Sequence, residues 1–193
     1  MIEDELILID DFLTNNEIEL IKKELIDNKM LIVRDPEIIN NTSYFRWFLD
    51  SHFKNARYFS PTLSSMDRNL FSEETKNTVK QKESLAFKKY EYTNFHETQL
   101  TVYTNGGRYT WHRDENAGRL ISFVLPIDLT KREYTGGELI LKHKDEEVKI
   151  IPKHNQLILF SGQLLHKVEE VKVNSDDMFK GRVVINGHIG FRT

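Results

Sequence analysis

Residues 103–114 read Tyr-Thr-Asn-Gly-Gly-Arg-Tyr-Thr-Trp-His-Arg-Asp, a turn sequence followed by a short polar strand. The Thr104-Asn-Gly-Gly portion is typical of a turn between two antiparallel strands, so one strand should end near Tyr103 and the next near His112. Side chains two positions apart on a strand point to the same face. His112 and Asp114 are therefore predicted to face a common ligand, and an imidazole with a carboxylate suits a metal ion.

Outward from this segment, the C-terminal half alternates between short apolar runs and polar turns. About eight strands, spaced roughly 8–12 residues apart, indicate an antiparallel jelly roll. We expect these strands at 95–102, 108–112, 119–127, 136–141, 147–151, 156–160, 164–173 and 182–190.

The N-terminal half combines helical and strand signals. Thr14 followed three positions later by Glu17 is a capping-box pattern, and apolar residues at helical spacing continue to about Asn28. The other expectations are strands at 5–10 and 30–33, a loop at 40–43, an ambiguous aromatic-rich segment at 44–53, a turn at 60–62 and a helix at 72–85.

We therefore predict a single domain of the α+β class that is mainly β, with a double-stranded β-helix (jelly roll) core and N-terminal helices packed outside. Residues 1–96 would supply helical support and outer strands, and residues 97–193 would form the catalytic core. A chain of 193 residues fits one such domain.

Composition restricts the partners and the compartment. The net charge is −3, so no overall positive field attracts nucleic acid, and nucleic-acid binding is disfavoured. The chain has no Cys, which excludes disulfides and thiolate zinc sites. The start, Met-Ile-Glu-Asp-Glu-Leu, is acidic, and no window approaches 18 apolar residues, so neither a signal peptide nor a membrane span is expected. We predict a soluble cytoplasmic protein and leave its oligomeric state open.

A third metal ligand must come from a distant part of the chain. The best candidate is His166, which only a folded sheet can bring to His112 and Asp114. Two His and one carboxylate on one face of a metal form the facial triad of non-haem Fe(II) oxygenases. Arg182 lies on the next strand, where a guanidinium inside a barrel would need an anion such as a carboxylate. His188 lies six positions further along that strand on the same face, so it is a candidate pocket residue.

Five segments in a fixed order resemble the iron- and 2-oxoglutarate-dependent dioxygenases, most of all the prolyl-4-hydroxylase-like branch. They are Tyr103-x-x-Gly106-x-x-Tyr109-x-x-His112-x-Asp114, Gly136-Gly137-Glu138-Leu139, Leu159-Phe160, Leu165-His166-x-Val168 and Gly181-Arg182. The resemblance covers about residues 97–191, and the opening Leu-Ile-Leu-Ile-Asp-Asp-Phe-Leu-Thr is also similar to the start of that branch.

The resemblance implies a reaction and its cofactors. The ligands of Fe(II) would be His112, Asp114 and His166, while Arg182 and Tyr103 would bind 2-oxoglutarate. Oxygen would complete the reaction, giving succinate, carbon dioxide and a hydroxylated C–H bond, with ascorbate as the assay reductant. The substrate implied is a peptidyl proline of a partner protein or peptide, or else a small molecule.

Other residues receive lesser roles. The resemblance places Arg119 near the start of a core strand, at most behind the metal ligands, and Gly136-Gly137 where the backbone approaches the metal strand closely. Tyr109 is a possible pocket residue. We expect Trp111 to pack under the sheet. Four histidines are expected at the surface or in loops: His52, His96, His143 and His154.

Departures from the family pattern keep other functions open. Pro126 stands where many hydroxylases have a cosubstrate-binding Tyr, and His188 where the family often has Trp. The interval from His166 to Arg182 is longer than usual, which suggests an inserted loop at 173–180. Two alternatives remain: a nucleic-acid demethylase of the same superfamily, suggested by His112-Arg113-Asp114-Glu115, and a non-catalytic jelly roll that binds a small acid, sugar or peptide.

Overall fold

Antiparallel strand pairing dominates the fold, which is described here from a computed structural model for residues 2–34, 44–48, 60–114 and 118–191. The helices are α1 Asn15–Asp27, α2 Pro61–Leu70, α3 Glu73–Lys80 and α4 Leu85–Lys88. The strands are β1 Leu6–Ile9, β2 Val33–Arg34, β3 Phe45–Phe48, β4 Phe95–Tyr103, β5 Tyr109–His112, β6 Arg119–Pro126, β7 Thr135–Gly136, β8 Leu139–His143, β9 Glu146–Ile150, β10 Leu157–Ser161, β11 Leu165–Val168, β12 Val171–Lys172 and β13 Arg182–Gly190.

The large sheet has seven strands in the order β1-β10-β6-β13-β4-β3-β2. Strand β13 lies at its centre, with Arg182 opposite Tyr103 of β4 and Val184 opposite Pro126 of β6. Strands from the N-terminal half extend both sides of this sheet, since β1 pairs with β10 and β3 pairs with β4. The outer strands predicted for residues 1–96 are therefore hydrogen-bonded into the sheet of the core.

The second sheet has four strands in the order β5-β11-β8-β9, and a two-stranded ribbon pairs β12 with β7. The predicted jelly-roll architecture is confirmed. The turn at 104–107 does not close a hairpin as expected, because β4 belongs to the large sheet and β5 to the small one. Instead its glycines bond to Val171: Gly106 N donates to Val171 O, and Val171 N donates to Gly107 O, each at 2.8 Å.

Two apolar layers stabilise this arrangement. One layer joins the helices to the outer face of the large sheet, where Ile21, Leu25 and Met66 are fully buried. The other fills the space between the sheets and includes Phe160 and Leu141. Burying apolar side chains from helices and sheets together is the dominant favourable term in folding. The prediction of helices packed outside the core is confirmed.

Helix α1 begins as its sequence predicts. The Thr14 hydroxyl accepts a hydrogen bond from Glu17 N, and the Glu17 carboxylate accepts one from Thr14 N at 2.9 Å. These two bonds satisfy backbone donors that the first turn of a helix leaves without partners. None of the described helices is both long and apolar enough to cross a membrane.

Several element boundaries differ from the prediction. Ser60-Pro61 starts helix α2 rather than forming a turn: Ser60 Oγ caps the helix by accepting from Leu63 N, and Pro61 occupies the first helical position. The helix expected at 72–85 ends at Lys80, and a tight 3₁₀ turn at Lys29–Leu31 replaces much of the strand expected at 30–33. The loop at 40–43 and part of segment 44–53 lie outside the described residues.

Two side-chain placements were also wrong. His96, expected at the surface, is buried between β4 and helix α2, with Nδ1 2.6 Å from Thr98 Oγ1 and Nε2 3.3 Å from Asp67 Oδ1. Trp111, expected under the sheet, is 37% exposed, with the Lys167 ammonium 5.0 Å from the centroid of its ring.

Candidate active site

Two adjacent strands of the small sheet bring the predicted metal ligands together. His112 at the end of β5 lies directly opposite His166 of β11, and the centroids of their rings are 4.0 Å apart. Asp114 follows β5 by two residues, and its backbone N–H donates to Gly162 O at 3.0 Å. Residues 54 positions apart in sequence thus meet through strand pairing alone.

The donor atoms of this triad converge. His166 Nε2 is 3.3 Å from Asp114 Oδ2, and His112 Nε2 is 3.7 Å from Asp114 Oδ1. One donor atom from each residue can be chosen so that all lie within 4.8 Å of one another. Each imidazole is also oriented by its own strand, since His112 Nδ1 lies 2.8 Å from Thr110 O and His166 Nδ1 lies 2.9 Å from Leu164 O. Both Nε2 atoms are left to face one point, as in metal sites whose histidines are held by backbone carbonyls.

The electrostatics favour the protonation states that bind a metal. Burial, together with the neighbouring His166, lowers the pKa of His112 from 6.5 to about 4, so its imidazole is neutral at pH 7. Burial would raise the pKa of Asp114, but hydrogen bonds from His166 and Ser122 hold it well below its usual range. A neutral imidazole and an ionised carboxylate are the forms that bind a divalent cation.

A cavity of about 600 Å³ extends from the triad between the sheets. One of its walls is formed by alternate residues of β4 and β13, which pair in four layers. From the deep end to the mouth the layers are Tyr103 with Arg182, Thr101 with Val184, Gln99 with Asn186, and Glu97 with His188.

The deep end contains a buried cation. Arg182 is 1% exposed, and its Nε and Nη2 atoms have no hydrogen-bond partner among the described residues. Its guanidinium lies 5.0 Å from the centroid of the Tyr103 ring, and burial lowers the pKa of Arg182 while raising that of Tyr103 to about 12. A buried charge without a partner is costly, so this environment calls for an anion.

Gly137 shapes the same region. A Cβ at this position would stand 2.7 Å from Arg182 Cδ and 2.9 Å from Val171 Cγ2, and the backbone of Gly137 has a φ of +70°. Only glycine tolerates both the positive φ and the close approach. The pair Gly136-Gly137 therefore allows two close approaches, of Gly137 to the Arg182 side chain and of Gly136 to the backbone of Glu170, which follows strand β11.

The lesser candidates occupy different parts of the cavity. The Tyr109 ring packs on His112 with centroids 4.1 Å apart, and both residues line the cavity. Arg119 is at the mouth, where its Nε and Nη2 atoms donate to Glu97 Oε2 at 2.7 and 2.6 Å. His188 lines the cavity with Nδ1 3.7 Å from Asp114 Oδ2.

Sequence reasoning missed several lining residues. Ser122, on β6, donates to Asp114 Oδ2 at 2.6 Å, and a lone hydroxyl within the apolar run Ile121-Ser-Phe-Val-Leu was a usable signal. Glu97 could also have been identified, because it lies six residues before Tyr103 on the same strand and therefore on the same face. Tyr44 and Arg46 had no such sequence signal, since no local pattern indicates that β3 joins this sheet.

Comparison with known proteins gives the family. The 2OG-Fe(II) oxygenase superfamily model matches residues 98–190, a range that contains the triad and Arg182. Residues 98–190 therefore form a domain of the 2OG-Fe(II) oxygenase superfamily. It is a 2-oxoglutarate-dependent dioxygenase, and this family uses Fe(II), 2-oxoglutarate and O₂. No curated protein matches the sequence significantly.

The fold of this oxygenase is similar to those of several solved prolyl hydroxylases. It resembles a Pseudomonas putida prolyl-4-hydroxylase with a TM-score of 0.67 and 18% identity, over 98% of this chain and 94% of that one. A Trichoplax adhaerens prolyl hydroxylase, solved with a hypoxia inducible factor peptide fragment, gives 0.66 and 14%, over 97% and 84%. The viral collagen prolyl hydroxylase of Paramecium Bursaria Chlorella virus-1, solved with 2OG, gives 0.60 and 19%, over 97% of both chains.

Proposed function

We propose that this oxygenase hydroxylates a peptidyl proline, or another substrate C–H bond, with formation of succinate and carbon dioxide. One observation carries the proposal: a buried guanidinium, two of whose nitrogens have no partner among the described residues, shares a cavity with a converging His-Asp-His triad. A dicarboxylate such as 2-oxoglutarate can satisfy both, because one end meets the guanidinium and the keto-acid end reaches the metal.

Each residue of the cavity has a distinct task in this proposal. Fe(II) would be held by His112, Asp114 and His166, and with the keto acid it would supply the oxidising chemistry. Arg182 would grip the distal carboxylate with two parallel hydrogen bonds, and Tyr103 would contribute its hydroxyl. The apolar layer around this deep end excludes water. The local dielectric constant is therefore low, which strengthens the contacts of Arg182 and Tyr103 with the carboxylate.

The proline substrate rests on two supports. Two of the structural neighbours are a prolyl hydroxylase bound to a peptide and a collagen prolyl hydroxylase. The mouth of the cavity is polar, with Gln99 and the Glu97–Arg119 pair at its rim, and such groups can hydrogen-bond to the backbone of an extended peptide.

The other two functions receive less support. A nucleic-acid demethylase would need a cationic mouth for the phosphate backbone, whereas Arg119 is already paired with Glu97. Family membership favours an enzyme over a non-catalytic binder. We also propose a cytoplasmic location, which the absence of Cys supports.

The test is succinate formation from 2-oxoglutarate in air with Fe(II) and ascorbate, with and without a proline-containing peptide. We expect iron-dependent succinate that increases when the peptide is present. His112→Ala should lower it by more than about 100-fold, because one of three protein ligands is lost. His143→Ala, changed at a histidine of β8 outside the cavity, is the matched control.

The outcomes separate the two parts of the proposal. Full turnover by His112→Ala would contradict the assignment of the triad. Iron-dependent succinate that no proline peptide stimulates would retain the reaction and reject the peptidyl substrate. Absence of succinate, together with no stabilisation by 2-oxoglutarate and metal, would favour a non-catalytic jelly roll.

A further inference from the structure

A buried hydroxyl touches the carboxylate of the triad. Ser122 lies on β6, next to the central strand β13, and only 2% of it is exposed. It interrupts a strand whose neighbouring residues, Ile121 and Phe123, belong to the apolar core. Its Oγ donates to Asp114 Oδ2 at 2.6 Å, a short charge-assisted bond.

Asp114 has few other side-chain tethers among the described residues. Its carboxylate lies near His166 Nε2 at 3.3 Å, His112 Nε2 at 3.7 Å and His188 Nδ1 at 3.7 Å. The imidazoles of His112 and His166 belong to the triad, so a bound cation would compete with the carboxylate for their Nε2 atoms. The hydrogen bond from Ser122 does not depend on those atoms, so a cation bound to them would leave it intact.

The same bond distinguishes the two carboxylate oxygens. Oδ2 accepts from Ser122, whereas Oδ1 receives no hydroxyl or backbone donor in the described part of the chain. Oδ2 also lies 3.3 Å from His166 Nε2, whereas Oδ1, 3.7 Å from His112 Nε2, is the oxygen that the hydroxyl leaves available to a metal. A carboxylate fixed in this way binds a metal through one oxygen and keeps the neighbouring coordination positions open.

His188 lies beside both the Ser122 hydroxyl and the Asp114 carboxylate. It faces Ser122 across the β13–β6 ladder, with Nδ1 3.4 Å from Ser122 Oγ. The single hydroxyl proton is donated to Asp114, so Ser122 can only accept from the imidazole. In the tautomer with a proton on Nδ1, His188 donates to Oγ and orients it.

We infer that Ser122 is a positioning residue that fixes Asp114 as a one-oxygen metal ligand, with His188 orienting the hydroxyl. This inference rests on the proposed function, because it takes the triad to be the metal site. It concerns metal binding itself, so it is testable without turnover.

The measurement is the affinity for Mn(II) alone, without 2-oxoglutarate or substrate, from the electron paramagnetic resonance signal of the free ion. Ser122→Ala should weaken binding by about 10- to 100-fold, as is typical when a group that orients a ligand is lost. Ser122→Thr keeps the hydroxyl and should bind within a few-fold of the wild type. Ser65→Ala removes a buried hydroxyl of helix α2 remote from the cavity and is the control.

A second pair of variants separates the hydroxyl from packing. Ser122→Thr and Ser122→Val have nearly the same shape and differ in the hydroxyl, so any strain is common to both. We expect Thr to bind Mn(II) at least about 10-fold more tightly than Val. The visible charge-transfer band of the anaerobic Fe(II)–2-oxoglutarate complex should also shift in Val and not in Thr.

The results distinguish this inference from the function on which it rests. If the wild type binds Mn(II) and forms succinate while Ser122→Ala and Ser122→Val bind Mn(II) equally well, the positioning role is wrong and the function stands. If the wild type binds no Mn(II) and forms no succinate, both fail. A loss confined to thermal stability, with unchanged Mn(II) affinity, also overturns the positioning role.

Discussion

Arg182 is the residue whose buried charge most clearly requires a ligand. Its side chain extends over Gly137 into the deep end of the cavity, where burial lowers the pKa of its guanidinium. Tyr103 is the neighbouring hydroxyl, and two guanidinium nitrogens have no partner among the residues that the structure describes. Such an arrangement is unfavourable in the free protein and becomes favourable when a carboxylate binds, so folding energy is stored for ligand binding.

We expect Arg182→Ala to raise the KM for 2-oxoglutarate by about 10- to 100-fold, because a charge-assisted pair worth about 1.5–3 kcal/mol is lost. Mn(II) affinity should stay at the wild-type value, since Arg182 is not part of the triad. Steady-state succinate formation at varied 2-oxoglutarate measures the change. Arg108→Ala, which removes an exposed guanidinium paired with Glu170, is the control. An unchanged KM would mean that another basic residue binds the acid.

At this scale, sequence reasoning predicted which residues would meet: the donor atoms of His112, Asp114 and His166 converge, and Arg182 is buried in the same cavity. It failed at His96, whose imidazole is as suited to a buried hydrogen bond as to the surface. It also overlooked Glu97, because a carboxylate near a strand end usually faces solvent.

At the scale of elements, Glu17 links two helices. Its carboxylate completes the capping box of α1 and also accepts hydrogen bonds from Arg68 and Asn69 of α2. Burial alone would raise the pKa of Glu17, but these bonds with Thr14, Arg68 and Asn69 lower it from 4.5 to about 2. The ionised form therefore stabilises the contact between α1 and α2.

This shift implies a loss of stability in acid. Because the pKa is lower in the folded state, the contribution is complete above pH 4.5 and is lost as the pH falls toward 2. From the size of the shift, we expect about 2 kcal/mol of this loss between pH 7 and pH 3. Urea unfolding at both pH values should show a smaller decrease for Glu17→Gln than for the wild type. Equal decreases would contradict the role of Glu17, and Glu19→Gln, at an exposed position of α1, is the control.

The element boundaries show which local signals suffice. The capping box of α1 was predicted because both partners are adjacent in sequence, and their bonds form without help from the rest of the fold. Ser60-Pro61 has two interpretations, as a turn or as a helix start, and only packing of Leu63 and Met66 against the large sheet selects the helix. Strand β3 has no decisive pattern, since it forms by pairing with the distant β4.

At the scale of the whole molecule, the N-terminal and C-terminal halves share one sheet. The two tryptophans of the chain report on different sheets: Trp47 is buried in β3 of the large sheet, and Trp111 lies in β5 of the small one. Because β1 and β3 bond to strands of the C-terminal half, we propose that residues 1–193 form a single cooperative domain.

We expect one unfolding transition for both sheets. In Trp111→Phe, fluorescence reports the large sheet alone, and in Trp47→Phe it reports the small sheet alone. Within each variant, the urea midpoint from fluorescence should coincide with the midpoint from far-ultraviolet circular dichroism. Separated midpoints in either variant would indicate that the sheets unfold independently.

The four layers of the cavity also predict the order in which ligands enter and leave. The buried guanidinium is at the closed end, while Glu97 and Arg119, whose side chains are 36% and 28% exposed, are at the entrance. A dicarboxylate must therefore pass the entrance before a larger substrate fills it. In the proposed reaction, the shortened product, still a dicarboxylate, would leave only after the hydroxylated substrate. Succinate should consequently compete with 2-oxoglutarate, and the first molecule to enter should be the last to depart.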